Sequence, residues 1–281
     1  MSIVTEETVC YRHPSRETAV SCSSCERPIC TECMTSTPVG MRCPECSKQK
    51  TKVHSVRSMN AMVTTVTVAL IAVNALLFLG SGQFGFGSSG GSKLFYDLGL
   101  FGPAIADGSE YWRLVTSGFL HSGFVHIGFN MYLLYMLGQM LEGPMGSKRF
   151  AGLYFASLLA GSFGALLFEP RGLTVGASGA VFGLMGAAFF QMRARGIDPF
   201  ATGIAPLILL NLAFSFLPGL NISIGGHLGG LVGGAVCALA LIAIDKRRLP
   251  HWTGYVALAA VGIVSAVGAV LVSGNTTGIF G

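Results

Sequence analysis

Two side chains of this 281-residue sequence have the right types for acyl transfer: Ser178, inside Gly176-Ala177-Ser178-Gly179, and His227, inside Gly226-His227-Leu228-Gly229-Gly230. A serine hydroxyl becomes a nucleophile when an imidazole takes its proton and later returns it. Ser178 is therefore the candidate nucleophile and His227 the candidate base. An aspartate ordinarily orients such a histidine. None lies in the apolar runs that carry these residues, so a dyad is expected, which avoids an unpaired carboxylate in a low dielectric. Asn130 follows His126 by four residues, which puts both on one helical face. Asn130, His126 and the Ser178 N–H near a helix start are the groups expected to donate to a developing oxyanion. Each feature alone has a plainer reading, since serine and glycine are common where membrane helices touch and a buried histidine is often structural.

A second constellation is metal-binding. Cys10 and His13, Cys22 and Cys25, Cys30 and Cys33, and Cys43 and Cys46 repeat one two-residue gap. Seven thiolates and one imidazole suffice for two tetrahedral zinc sites with every position filled, which is structural rather than catalytic zinc. Disulfides are the rival explanation. His13 has no place in a disulfide framework, and the charge pattern below puts the segment in a reducing cytosol. Only four residues separate the second and third pairs, so an interleaved pairing is expected, first with third and second with fourth.

The elements that position these residues follow from composition. Hydrophobic residues make up 51% and charged residues 11%, with mean hydropathy +0.62, against roughly 25% charge in a soluble domain. An ordinary soluble enzyme is excluded. The 39 glycines suit closely packed membrane helices. Residues 1–57 carry 8 Lys/Arg and 6 Asp/Glu with seven of the eight cysteines. That net charge of +2 has no basic stripe, so nucleic acid is not an expected partner.

Apolar runs long enough for a bilayer core of about 30 Å occupy residues 61–79, 114–141, 150–168, 172–192, 199–244 and 249–273. Pro218-Gly219 divides the fifth run, giving seven spans. Lys48, Lys50, Lys52 and Arg57 precede the first span. Under alternation Lys148/Arg149, Arg193/Arg195 and Lys246/Arg247/Arg248 share that side, so the N-terminus is expected in the cytoplasm and the C-terminus outside. The long connection 80–118 reads as a structured loop partly sunk in the outer leaflet. Spans two, four and six begin on the non-cytoplasmic side, and their polar residues are expected roughly 9–13 Å deep at 1.5 Å per residue. A hydroxyl, two imidazoles and an amide then share one layer.

These residues resemble a family. Over residues 60–272 the chain resembles the rhomboid intramembrane serine proteases, through Trp112-Arg113, the stretch His121–His126–Asn130, Gly176-Ala177-Ser178-Gly179 and Gly226-His227-Leu228-Gly229-Gly230. The resemblance implies an all-α polytopic fold, a six-helix core plus a seventh C-terminal helix. It implies Ser178 as nucleophile, His227 as base, oxyanion roles for His126 and Asn130, a structural role for Arg113, and a place near the site for His121. An aromatic, often Tyr, usually follows the serine by one turn, and here it is Phe182. Gly226 stands where an alanine often precedes the histidine. The cysteine module resembles a B-box or RING-type cross-brace.

The expected organisation is a zinc-binding module over residues 1–50, a linker at 51–60, a membrane protease domain at 61–273 and a tail at 274–281. The expected activity is cleavage of transmembrane protein substrates near the non-cytoplasmic face of a plasma membrane. Two structural zinc ions and no catalytic cofactor are expected, with a cytoplasmic protein partner for the module. The rivals are a non-catalytic rhomboid-like scaffold and a His-lined transporter, which would need intramembrane carboxylates.

Overall fold

A computed structural model of the chain describes residues 8–48, 64–85, 92–217 and 222–275. The expected linker 51–60, the dividing Pro218-Gly219, the basic Lys50, Lys52 and Arg57, and the tail beyond 275 lie outside the described residues. The chain separates into two compact units on either side of residue 61, each taken by itself.

The N-terminal unit has little apolar material to bury. Its buried cluster is Ile29 with Cys10, Cys22, Cys30, Cys33, Cys43 and Cys46, fringed by Tyr11, Val20, Cys25 and Met34. Strands β1 (Thr35–Thr37) and β2 (Gly40–Arg42) form an antiparallel hairpin that pairs Thr35 with Arg42 and Thr37 with Gly40. Gly40 takes a φ of +112° at the turn, where a side chain would be strained. A single helical turn, α1 (Pro44–Ser47), follows.

The second unit is helical. Its elements are α2 (Thr65–Ser81), the short α3 (Lys93–Leu98), α4 (Gly102–Ala106) and α5 (Arg113–Thr116), then α6 (Phe124–Met145), α7 (Ser147–Phe168), α8 (Ser178–Ala194), α9 (Ile204–Ser215), α10 (Ile224–Lys246) and α11 (His251–Ser273). Among the described residues α6, α7, α10 and α11 are long and apolar enough to cross a membrane, and α2 and α9 are shorter apolar helices. A polytopic membrane protein is the architecture this describes.

Two boundaries differ from the sequence expectation. The run 114–141 is not one helix: α5, a 3₁₀ turn (Ser117–Phe119) and a bend precede α6. Gly118, Ser122 and Gly123 are weak helix formers, and a Cβ at Gly118 would overlap the Leu158 side chain of α7. The run 172–192 is helical only from Ser178, because Thr174 pairs with Leu100 as an isolated antiparallel bridge. Over residues 92–123 the connection into α6 is therefore structured. Buried Arg113 holds it by donating to the carbonyls of Tyr96 at 2.6 Å and Gly99 at 2.7 Å and by pairing with Glu110.

Glycine decides how close the central helices come. A Cβ on Gly230 would overlap the Gly179 carbonyl, and one on Gly234 the Gly183 carbonyl, so α10 touches α8 backbone to backbone. Gly225 and Gly164 make the same kind of contact between α10 and α7. The buried apolar side chains around this spine include Leu134, Leu137, Phe150, Tyr154, Leu184 and Met185.

A carboxylate the apolar runs leave out is also buried. Glu142 closes α6 and accepts from the N–H groups of Val66 and Thr67, both at 2.9 Å, from Thr67 Oγ1 at 2.6 Å and from Ser147 Oγ at 2.7 Å. It caps the positive end of α2, which is how a charge is tolerated there.

Candidate functional site

Ser178, His126 and His227 lie in the first turn of their helices, and Asn130 follows His126 one turn on. Ser178 is the first residue of α8, His126 the third of α6 and His227 the fourth of α10. His121 precedes α6 altogether and is fully buried. The shared layer arises because the chain before each helix is non-helical, so three helix N-termini come together.

Ser178 opens α8 just after Gly176, whose φ is +127°. A Cβ at Gly176 would sit 2.7 Å from His126 Nε2 and 3.7 Å from Ser178 Oγ, so His126 occupies the space a side chain would need. Ser122 N–H donates to His126 Nδ1 at 3.4 Å, with Ser122 Oγ 3.1 Å from the same nitrogen. An N–H can only donate, so Nδ1 is the acceptor and the ring proton sits on Nε2, the edge turned to Gly176. Asn130 is buried and donates to the His126 carbonyl at 2.9 Å, which leaves its second N–H for other use.

His227 stacks on Phe182 with ring centroids 4.0 Å apart and planes inclined by 23°. Phe182 follows Ser178 by four residues, so the imidazole lies over the serine-bearing face of α8. The aromatic floor is thus made by carbon alone. The Gly179–Gly230 contact locks the two helices at this level. Among the described residues Ser178 Oγ and His227 make no hydrogen bond to each other. His227 Nδ1 instead lies 2.7 Å from Ser215 Oγ at the end of α9. The sequence reading did not single out Ser215, because nothing in an apolar helix distinguishes one serine from another. His121 lies edge-on to His126, with centroids 4.9 Å apart, and neither of its ring nitrogens has a hydrogen-bond partner among the described residues.

The cysteines form two separate groups, Cys10, His13, Cys30 and Cys33 and Cys22, Cys25, Cys43 and Cys46, each with its ligand atoms within 4.8 Å of one another. These are the interleaved sets. Cys25 and Cys43 Sγ are 3.8 Å apart, and His13 Nδ1 is 3.3, 3.4 and 3.9 Å from the sulfurs of Cys30, Cys33 and Cys10. Tetrahedral zinc with Zn–S near 2.3 Å requires ligand separations of about 3.5–3.8 Å, so the donors fit. The Cys43 N–H bonded to Cys22 Sγ brings that thiol down to about 6. Cys46 is pushed up to about 12, first by its hydrogen bond with Cys43. Sulfurs this crowded cannot all ionise without a cation among them.

The Rhomboid domain family matches residues 108–244, which contain Arg113, His121, His126, Asn130, Ser178, Phe182 and His227. Rhomboid protease GluP of Bacillus subtilis is 38% identical over 184 residues, 63% of this chain and 35% of GluP. Rhomboid-like protease 1 of Toxoplasma gondii is 35% identical over 175 residues, 59% of this chain and 58% of that protein. YdcA, another B. subtilis protein bearing the rhomboid name, is 35% identical over 157 residues, 54% of this chain and 75% of YdcA. The chain belongs to the rhomboid family. It spans only about a third of GluP and three-fifths of the Toxoplasma relative. The cysteine unit lies outside the residues that the rhomboid family matches.

Proposed function

We propose that this rhomboid is an intramembrane serine endopeptidase acting on transmembrane segments of other proteins through Ser178 and His227. The observation that carries the reading is the His227 ring stacked on Phe182, one turn beyond Ser178 on the same helix. Ser178 Oγ attacks the scissile carbonyl while the imidazole nitrogen not engaged by Ser215 takes its proton. The His126 Nε2–H, the free Asn130 N–H and the Ser178 N–H at the start of α8 would receive the oxyanion. His227 then returns the proton to the leaving amine, and water hydrolyses the acyl-enzyme. Nucleophile and base often draw within hydrogen-bond reach only when substrate is bound. A scissile segment must leave its helix to reach Ser178, which favours small or helix-breaking residues at the cut.

The proposal includes seven spans with the cysteine unit in the cytoplasm, so that the serine layer faces the opposite side of a plasma membrane. The four basic groups support that orientation. Cys10, His13, Cys30 and Cys33 would hold one zinc ion and Cys22, Cys25, Cys43 and Cys46 a second. The metal would supply most of that unit's folding energy, and the unit would dock a cytoplasmic protein. Against a His-lined transporter, the one buried carboxylate among the described spans, Glu142, is occupied as a helix cap.

The test is proteoliposomes carrying the full chain and a labelled transmembrane substrate. Cleavage should disappear in Ser178→Ala and in His227→Ala. Full cleavage by Ser178→Ala would falsify the assignment, and no cleavage by the native chain would favour the scaffold.

A further inference from the structure

We infer that Ser215 is a positioning residue for His227, so that the site is a serine–histidine–serine triad rather than a bare dyad; this rests on the acyl-transfer reading above. Ser215 ends α9 and His227 lies in the first turn of α10. Both are buried, and Ser215 Oγ is 2.7 Å from His227 Nδ1.

The direction of that bond turns on a second contact. The Ser215 hydroxyl has one proton and two acceptors within reach, His227 Nδ1 at 2.7 Å and the Asn211 carbonyl one turn back at 3.1 Å; in the proposed triad the proton points to the carbonyl, which the helix itself holds in reach. A carbonyl can only accept. Ser215 Oγ is then left as an acceptor, and Nδ1 carries the imidazole proton. Nε2 is bare, the form a base for Ser178 needs.

The two supports restrain different motions. Stacking on Phe182 fixes the plane of the ring but lets it slide and spin within that plane. The in-plane bond to Ser215 removes that freedom. When the Ser178 proton arrives on Nε2, the Nδ1 proton stays where it is, already donating to Ser215 Oγ. The Ser215 hydroxyl dipole, aligned on the Asn211 carbonyl, then faces the new positive charge. Ser215 gains and loses no proton. It performs the orienting half of an aspartate's work without a buried carboxylate.

Cleavage kinetics in proteoliposomes give one test, with rates taken per folded chain. Losing one neutral hydrogen bond should lower kcat about fivefold to tenfold in Ser215→Ala with KM nearly unchanged, and Ser215→Thr should restore the rate. A Ser215→Ala enzyme with native kcat, in a preparation that Ser178→Ala silences, overturns this inference and leaves the protease reading standing. The second test needs no activity. In the Ser178→Ala chain with ¹⁵N-labelled histidine, the His227 signals, assigned by difference with His227→Ala, should report a protonated Nδ1 and a bare Nε2. Ser215→Ala should convert that state to a mixture. A proton found on Nε2 overturns the inference whether or not the native chain cleaves anything.

Discussion

Replacing Gly176 with alanine probes the contact that holds His126 beside Ser178. The new Cβ would stand 2.7 Å from His126 Nε2 and 2.8 Å from Cε1. To reach ordinary contact near 3.4 Å, the imidazole must retreat by about 0.7 Å in an interior that is close-packed. The backbone adds a separate penalty, because alanine at a φ of +127° is strained by about 1–3 kcal/mol. Thermal unfolding in detergent should register that strain. The catalytic cost comes from displacing a group proposed to receive the oxyanion, and loss of one such donor lowers kcat by about 10²–10³. Ser178 Oγ is farther from the added atom, at 3.7 Å, so the nucleophile itself is spared. The decisive assay is a double-mutant cycle on cleavage of a labelled transmembrane substrate. His126→Ala alone should cost about 10²–10³. Gly176→Ala added to it should cost little more, because the clash partner is gone. If the two losses simply multiply, the displacement of His126 is not how Gly176 acts, and the reasoning fails.

Four further outcomes follow from other parts of the chain. Glu142→Ala leaves the Val66 and Thr67 N–H groups without their acceptor and should destabilise the folded chain by about 2 kcal/mol or more, read by thermal or denaturant unfolding. Gly234→Ala, which drives a methyl into the Gly183 carbonyl, should cost about 1–3 kcal/mol. Gly80→Ala on α2, with nothing within 4 Å of the new atom, should instead gain about 0.5–1 kcal/mol. Metal analysis of the full chain should return two zinc ions, and chelation should unfold the cysteine unit while cleavage by the reconstituted membrane unit persists.

Much of the site was legible in residue types and short spacings. Ser178 with Phe182 four residues on, and His126 with Asn130 four residues on, are local patterns that a helix converts directly into shared faces. The cysteine sets were legible for the same reason: only four residues between the second and third pairs argued for interleaving, and the ligand atoms gather in that way. Apolar runs located the helices to within several residues. Where they failed, at 117–123 and 172–177, a connection was as apolar as a helix, and hydropathy does not separate the two.

What tertiary structure alone decided depends on contacts between segments far apart in sequence. Glu142 lies just past the apolar run 114–141, and only the approach of α2 makes it a buried cap. Ser215 is one hydroxyl in an apolar helix until the chain between α9 and α10 returns His227 to within 2.7 Å of it. The sequence determined which groups are present and which share a helical face, because the period of a helix is a local property. Which nitrogen of His227 is free, and how near α10 comes to α8, were decided by packing, because those answers belong to pairs of helices and not to either one.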